Sequence, residues 1–144
     1  MQSALNQSAQ DFRAMRSRAG AEGAAAIDSI YEDFALTKDD FTALNEELPS
    51  IVANMCNRFH GYVTQYYVAD EQVCIYVNID NCKSSNSSVE DFAKKVIVHS
   101  LLAWWYDVRL AELANVYRDK AAQGLSQLMS IVIPTFGRRR LRMF

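Results

Sequence analysis

The chain has 144 residues, half of them hydrophobic and 22% charged, with a formal net charge of −2. A chain of this size and composition forms one domain with a real core, which removes any need for metal or disulfide staples. With so small a net charge, the field of the whole molecule says little about partners.

Charge is nevertheless placed unevenly. Asp28, Glu32, Asp33, Asp39, Asp40, Glu46 and Glu47 face only Lys38 within residues 28–50. Arg13, Arg16 and Arg18 stand near Asp11 in the N-terminal stretch, and Arg138, Arg139, Arg140 and Arg142 are unopposed in the closing segment. Basic ends around an acidic middle suit self-assembly or docking on an acidic neighbour.

Residues 1–26 are rich in Ala, Ser and Gln, with Leu5, Phe12 and Met15 as large apolar anchors. They read as an N-terminal arm or a weak helix, set apart from a helical domain over residues 27–133. The stretch has no basic region followed by an apolar run, so a secretory signal is not expected.

Thr37 opens a helix. "TKDD" has the form of a capping box, a hydroxyl at the cap and an acid three residues on. Apolar residues follow at Phe41, Leu44, Leu48, Ile51, Met55, Phe59, Tyr62 and Tyr66, in steps of three and four. Pro49 lies within the run without breaking its phase. The expectation is a kinked continuous helix, or a short helix followed by one with Pro49 in its first turn.

"EQVCIYVNID" changes the period: Val73, Ile75, Val77 and Ile79 alternate with Cys74, Tyr76 and Asn78. That is a strand. "YVTQYYV" before it is either its hairpin partner, with residues 69–71 as the turn, or the end of the preceding helix. In the second case Val73, Ile75, Val77 and Ile79 form a candidate inter-subunit strand.

"NCKSSNSS" is a loop by composition, and Ser87 and Ser88 offer caps for the next helix. Residues from Phe92 to Trp105 are apolar on most faces, the mark of a central helix. From Leu110 the phase shifts to Leu113, Tyr117, Ala121, Gly124, Leu128 and Ile131. A break at residues 107–109 therefore gives two antiparallel helices, the second ended by Pro134. The most apolar stretch, "VIVHSLLAWW", is too short to span a bilayer, and no membrane role is expected. The fold class is mainly α: a small helical bundle with a short strand or hairpin excursion and an extended C-terminal arm over residues 134–144.

Each candidate for chemistry meets a plainer reading. Cys56 and His60 share a helix face at i, i+4, but no second ligand pair stands at metal spacing and His99 is alone. Buried structural side chains are the better reading. The three cysteines, Cys56, Cys74 and Cys82, are odd in number and lack a CxxC spacing, which fits synthesis in a reducing cytosol. Asp70, Asp80 and Asn81 lack the glycine and glutamate of a calcium loop and read as turn residues. Trp104 and Trp105 read as core anchors, and Tyr62, Tyr66, Tyr67 and Tyr76 as an interface or core edge. No GxSxG, P-loop, GxGxxG or HExxH occurs, so no enzyme, cofactor or metal site is expected.

The segment "IVIPTFGRRRLRMF" holds the candidate partner-docking residues Phe136, Arg138, Arg139, Arg140, Leu141, Arg142, Met143 and Phe144. Its arginines suit nucleic acid or anionic lipid, and equally a solvated tail. Large apolar residues among the arginines favour a protein groove, where guanidinium groups meet carboxylates and the apolar side chains fill pockets.

The helix pair "HSLLAWWYDVRLAELANVYRDKAAQGLSQLMSI", with the β excursion before it and the arm after it, resembles the head–tail connector (neck, adaptor or ring) proteins of tailed bacteriophages. In that family a run such as "VIVHSLLAWWYD" precedes the break and an Ala/Leu-rich stripe such as "ELANVYRDKAAQGLSQLMSI" follows it. The likeness covers residues 37–133 and rests on architecture and helix texture. It implies a structural virion protein forming a ring, commonly twelve-fold, that joins portal and capsid to tail around the DNA channel. It also implies docking on the portal or other neck and tail proteins through the C-terminal arm, without catalysis or sequence-specific DNA binding. The implied location is the virion, after synthesis in the bacterial host cytoplasm. The alternative from the residues themselves is a small helical nucleic-acid-binding or regulatory protein that uses the Arg-rich tail.

Overall fold

A computed structural model describes residues 1–59, 61–69, 72–77 and 86–132. They form a mainly α fold of four helices and one hairpin: α1 (Gln2–Phe34), α2 (Phe41–Arg58), β1 (Val63–Ala69), β2 (Gln72–Val77), α3 (Asn86–Tyr106) and α4 (Ala111–Val132).

Helix α1 is the first departure from expectation. It is two limbs folded back on each other at Gly20, whose φ of 70° and ψ of −173° lie where a side chain is strained. In a straight helix Phe12 and Tyr31 would stand about 28 Å apart. Their ring centroids are 5.1 Å apart, edge to face. Arg16 Nε reaches Asp28 Oδ1 at 2.9 Å across the same bend. Gly23 is needed as well, because a Cβ there would lie 2.7 Å from that of Ala19. Both partners of the ion pair are about half exposed, so it contributes at most about 1 kcal/mol. Burial of Phe12, about 1.5–3 kcal/mol, outweighs it. The expected boundary between residues 26 and 27 thus falls inside the second limb of a packed helix, and Ala4, Ser8 and Phe12 are buried.

The capping box forms as expected. The Thr37 backbone N–H and hydroxyl both donate to Asp40 Oδ2 at 2.8 Å. The box closes a 3₁₀ turn, Lys38–Asp40, which leads directly into α2. Pro49 lies inside one continuous α2, on its exposed side, while Leu44, Leu48, Ile51, Val52, Met55 and Cys56 form the buried stripe. The helix ends at Arg58, and Gly61, at φ 93°, turns the chain into β1. The stripe therefore does not continue through Tyr62 and Tyr66, and residues 63–69 are strand.

β1 and β2 pair antiparallel, Val68 opposite Val73 and Tyr66 opposite Ile75, with an irregularity between Val63 and Gln65. Of the two partners open to Val73, Ile75 and Val77, the structure forms the intrachain one. Ile79 lies outside the described residues. Helix α3 begins at Asn86, so Ser87 and Ser88 lie in its first turn rather than before it. The break falls at residues 107–109, between α3 and an antiparallel α4.

Two apolar clusters fill the interior. One joins α1, α2, α3 and α4 around Leu44, Leu102, Tyr106 and Tyr117, all essentially without exposure. The other, Met55, Phe59, Val96, Leu128 and Val132, lies beneath the hairpin. Trp105 is buried, but Trp104 is 40% exposed and is not a core anchor. No helix among the described residues is long and apolar enough to cross a membrane.

Replacement of Gly20 by Val is expected to lower stability by about 1–3 kcal/mol, because a β-branched residue cannot hold this backbone without strain. Thermal unfolding followed by circular dichroism reads this as a lowered Tm. An unchanged Tm would mean that the bend is not fixed at Gly20.

Candidate docking surface

The hairpin divides its side chains by alternation. Val63, Val68, Val73, Ile75 and Val77 pack toward the two clusters. The opposite face carries Tyr67 and Tyr76, 47% and 53% exposed, with ring centroids 6.4 Å apart. Cys74 is paired with Tyr67 across the strands. A hydrogen bond with Cys74, and the neighbouring Tyr76, push the Tyr67 hydroxyl up to about 12, so it stays protonated. Thr64 donates its hydroxyl to the Tyr76 carbonyl at 3.1 Å. The outer face is thus a neutral aromatic ledge, able to supply contact area at low entropic cost.

Beside the ledge runs a groove of about 960 Å³ between β2, α3, the start of α1 and parts of α2 and α4. Its walls are mainly apolar, with Ile97, Leu128 and Val132 among them, and Glu90 and Lys94 also line it. In the sequence it appears only as the alternation of β2, because its walls come from separate elements.

The arm residues Phe136, Arg138, Arg139, Arg140, Leu141, Arg142, Met143 and Phe144 lie outside the described residues, as do His60, Asp70, Asp80, Asn81 and Cys82. Cys56 is buried against the core, and burial pushes its thiol up, away from the thiolate that a nucleophile needs. Among the described residues no group of three or more His, Cys, Asp or Glu could hold a metal ion.

Sequence reasoning missed a buried polar network. Tyr106 of α3 and Tyr117 of α4 stack 5.9 Å apart at 15°. The Tyr106 hydroxyl and Ser8 Oγ share a hydrogen bond of 2.7 Å, and the Tyr117 hydroxyl donates to Asp11 Oδ2 at 2.7 Å. Lys120 stands 3.4 Å from the same oxygen, and the His99 ring also stacks with Tyr117, centroids 6.1 Å apart. Burial raises both tyrosines, and for Tyr117 the Asp11 carboxylate adds to it. These contacts tie α1 to both rings, so the network acts as a clasp between α1 and the α3–α4 pair. The only signal in the sequence is a tyrosine on each apolar stripe, which says nothing of its partner 106 positions away.

Tyr117→Phe is expected to cost about 1–2 kcal/mol, since it leaves the part-buried Asp11 with one partner fewer. Urea unfolding measures this, and an unchanged midpoint would remove the clasp. Burial, with Lys120 and Lys95, holds His99 below its ordinary value of 6.5, against the opposing pull of Asp11. The unfolded chain therefore takes up that proton first on acidification. Its contribution is complete above pH 6.5 and is lost as the pH falls from there toward the lowered folded value. A plot of Tm against pH is expected to slope down below that point, and His99→Gln to flatten it.

No family model matches this chain, and neither the curated proteins nor the solved structures contain a match to it.

Proposed function

We propose that the chain is a structural assembly protein of the head–tail connector kind. It acts as one subunit of a ring that links portal or capsid to tail around the DNA channel. The observation that carries this reading is the exposed Tyr67–Tyr76 ledge on a two-stranded sheet that pairs only within itself among the described residues. Tyrosine is enriched at protein interfaces, where its ring supplies contact area and its hydroxyl a polar handle. The ledge is neutral and aromatic, whereas residues 138–142 carry four arginines. Contact between unlike surfaces of successive subunits closes into a ring when the rotation allows. The arginines of the arm suit acidic grooves on a portal or tail partner, and the apolar residues among them supply the anchors. In this reading the protein is made in the bacterial host cytoplasm and resides at the head–tail junction of the virion.

The four arginines at 138, 139, 140 and 142 also favour a second reading, a small helical protein that binds nucleic acid through its tail. Four phosphate contacts would give an affinity that falls with salt at a logarithmic slope of about −3.6. Deletion of residues 134–144 separates the readings. The truncated chain is expected to keep its helical circular dichroism. In negative-stain microscopy with portal or tail proteins it is expected to form no rings, whereas the full chain forms them. Full assembly by the truncated chain would sink the docking reading, and a steep salt dependence of DNA binding would support the alternative.

A further inference from the structure

The groove beside the hairpin follows the edge of β2 that faces away from β1. Every residue of β2 lines it, from both faces of the strand, whereas β1 contributes only Val63. A strand that lines a cavity with both faces presents its backbone to it. Among the described residues β2 pairs with β1 alone. The backbone groups on its other edge therefore have no strand partner there, while the facing α3 satisfies its own backbone internally. A mainly apolar cleft with one open backbone edge fits an extended segment with apolar side chains.

Connectivity indicates which segment. Helix α4 ends at Val132, which itself lines the groove and belongs to the cluster against which Val77 packs. Ile133, Pro134, Thr135 and Phe136 come next. A residue before proline is pushed out of the helical region into extended backbone, which applies to Ile133. Ile, Thr and Phe all favour strands. The segment 78–85 follows β2 directly in the chain, but Ile79 is its one large aliphatic or aromatic residue.

We propose that residues 133–138 of the same chain add to the free edge of β2 as a third strand. The segment starts beside Val77 and runs toward Gln72, antiparallel to β2. Six residues of β2 span about 20 Å, which six extended residues cover. With Ile133 opposite Val77, Ile133 and Thr135 face the apolar interior. Phe136 then stands opposite Cys74 and joins the tyrosine ledge. The arginines from Arg139 onward are left beyond the sheet. Occupancy by the chain's own segment is favoured because the tether supplies an effective concentration of order millimolar. The inference does not depend on the connector reading.

The test uses the full chain carrying Cys82→Ser and Phe136→Cys under mild oxidation, with tryptic mapping of the products. Opposed residues on antiparallel strands have Cα atoms about 4.5–5.5 Å apart, within disulfide range. A disulfide between position 136 and Cys74 is expected inside the monomer, at a rate independent of protein concentration. Arg142→Cys is expected to stay reduced. Absence of a bond to Cys74 from each of positions 135, 136 and 137 would overturn the proposal. So would a bond formed only between molecules, which would assign the groove to a second copy.

Amide exchange gives an independent readout without partners. The β2 amides that do not bond β1 are expected to exchange at least about tenfold faster when the chain stops at Val132. Thr135→Pro, which removes a donor from the added strand, serves if the truncated chain fails to fold. Unchanged exchange in the folded variant would overturn the proposal. Ring assembly itself is read separately, by the microscopy.

Discussion

The stacked rings of Tyr106 and Tyr117 are the contact on which the rest of the structure depends. They stand where α3 turns into α4, and their hydroxyls end inside the protein. A buried hydroxyl without a partner costs about 1–3 kcal/mol, so the stack is stable only with hydrogen-bond partners brought to it. Ser8 and Asp11 supply them from one face of α1. That requirement places α1 across the helix pair. The bend at Gly20 then lays its second limb over Phe12, which itself meets the Tyr106 ring at 6.3 Å. A stretch with a weak apolar face is thereby held by two specific hydrogen bonds and one buried phenylalanine.

The hairpin depends on the helices in a different way. Two strands alone are marginal in water, and this pair gains its stability from valines and an isoleucine laid on the cluster of Met55, Phe59, Val96, Leu128 and Val132. The same alternation that buries those residues turns Tyr67 and Tyr76 outward. Core packing and the exposed ledge are two consequences of one register. A slip by one residue would exchange them. The edge of β2 lies over the groove for a related reason. The hairpin is anchored by its inner face, and among the described residues its far edge has no strand partner.

Elements set by short-range pattern were legible in the sequence. The Thr37–Asp40 box, the α2 stripe through Pro49, the alternation of β2 and the break after Tyr106 each follow from spacing within a few residues. Residues 63–69 were left open because Tyr62 and Tyr66 continue the helical phase, and the positive φ of Gly61 outweighs that phase. The bend in α1 went unread although Gly20 and Gly23 were visible, since a glycine marks freedom and not the direction in which the chain uses it. Trp104 was assigned to the core because an almost wholly apolar helix conceals which of its faces is left uncovered.

The sequence by itself determined the mainly α class, the order of the elements and the apolar stripes, because these depend on helical and strand periods that a few neighbouring side chains impose. It also determined that the arginines and large apolar residues of the closing segment stand together. Only the tertiary structure decided which stripes meet, that two tyrosines clasp α1 through Ser8 and Asp11, and that every residue of β2 lines a groove. Those outcomes depend on residues far apart in the chain. Their pairing is selected by close packing and by the cost of burying a polar group alone, and neither is written in any local period.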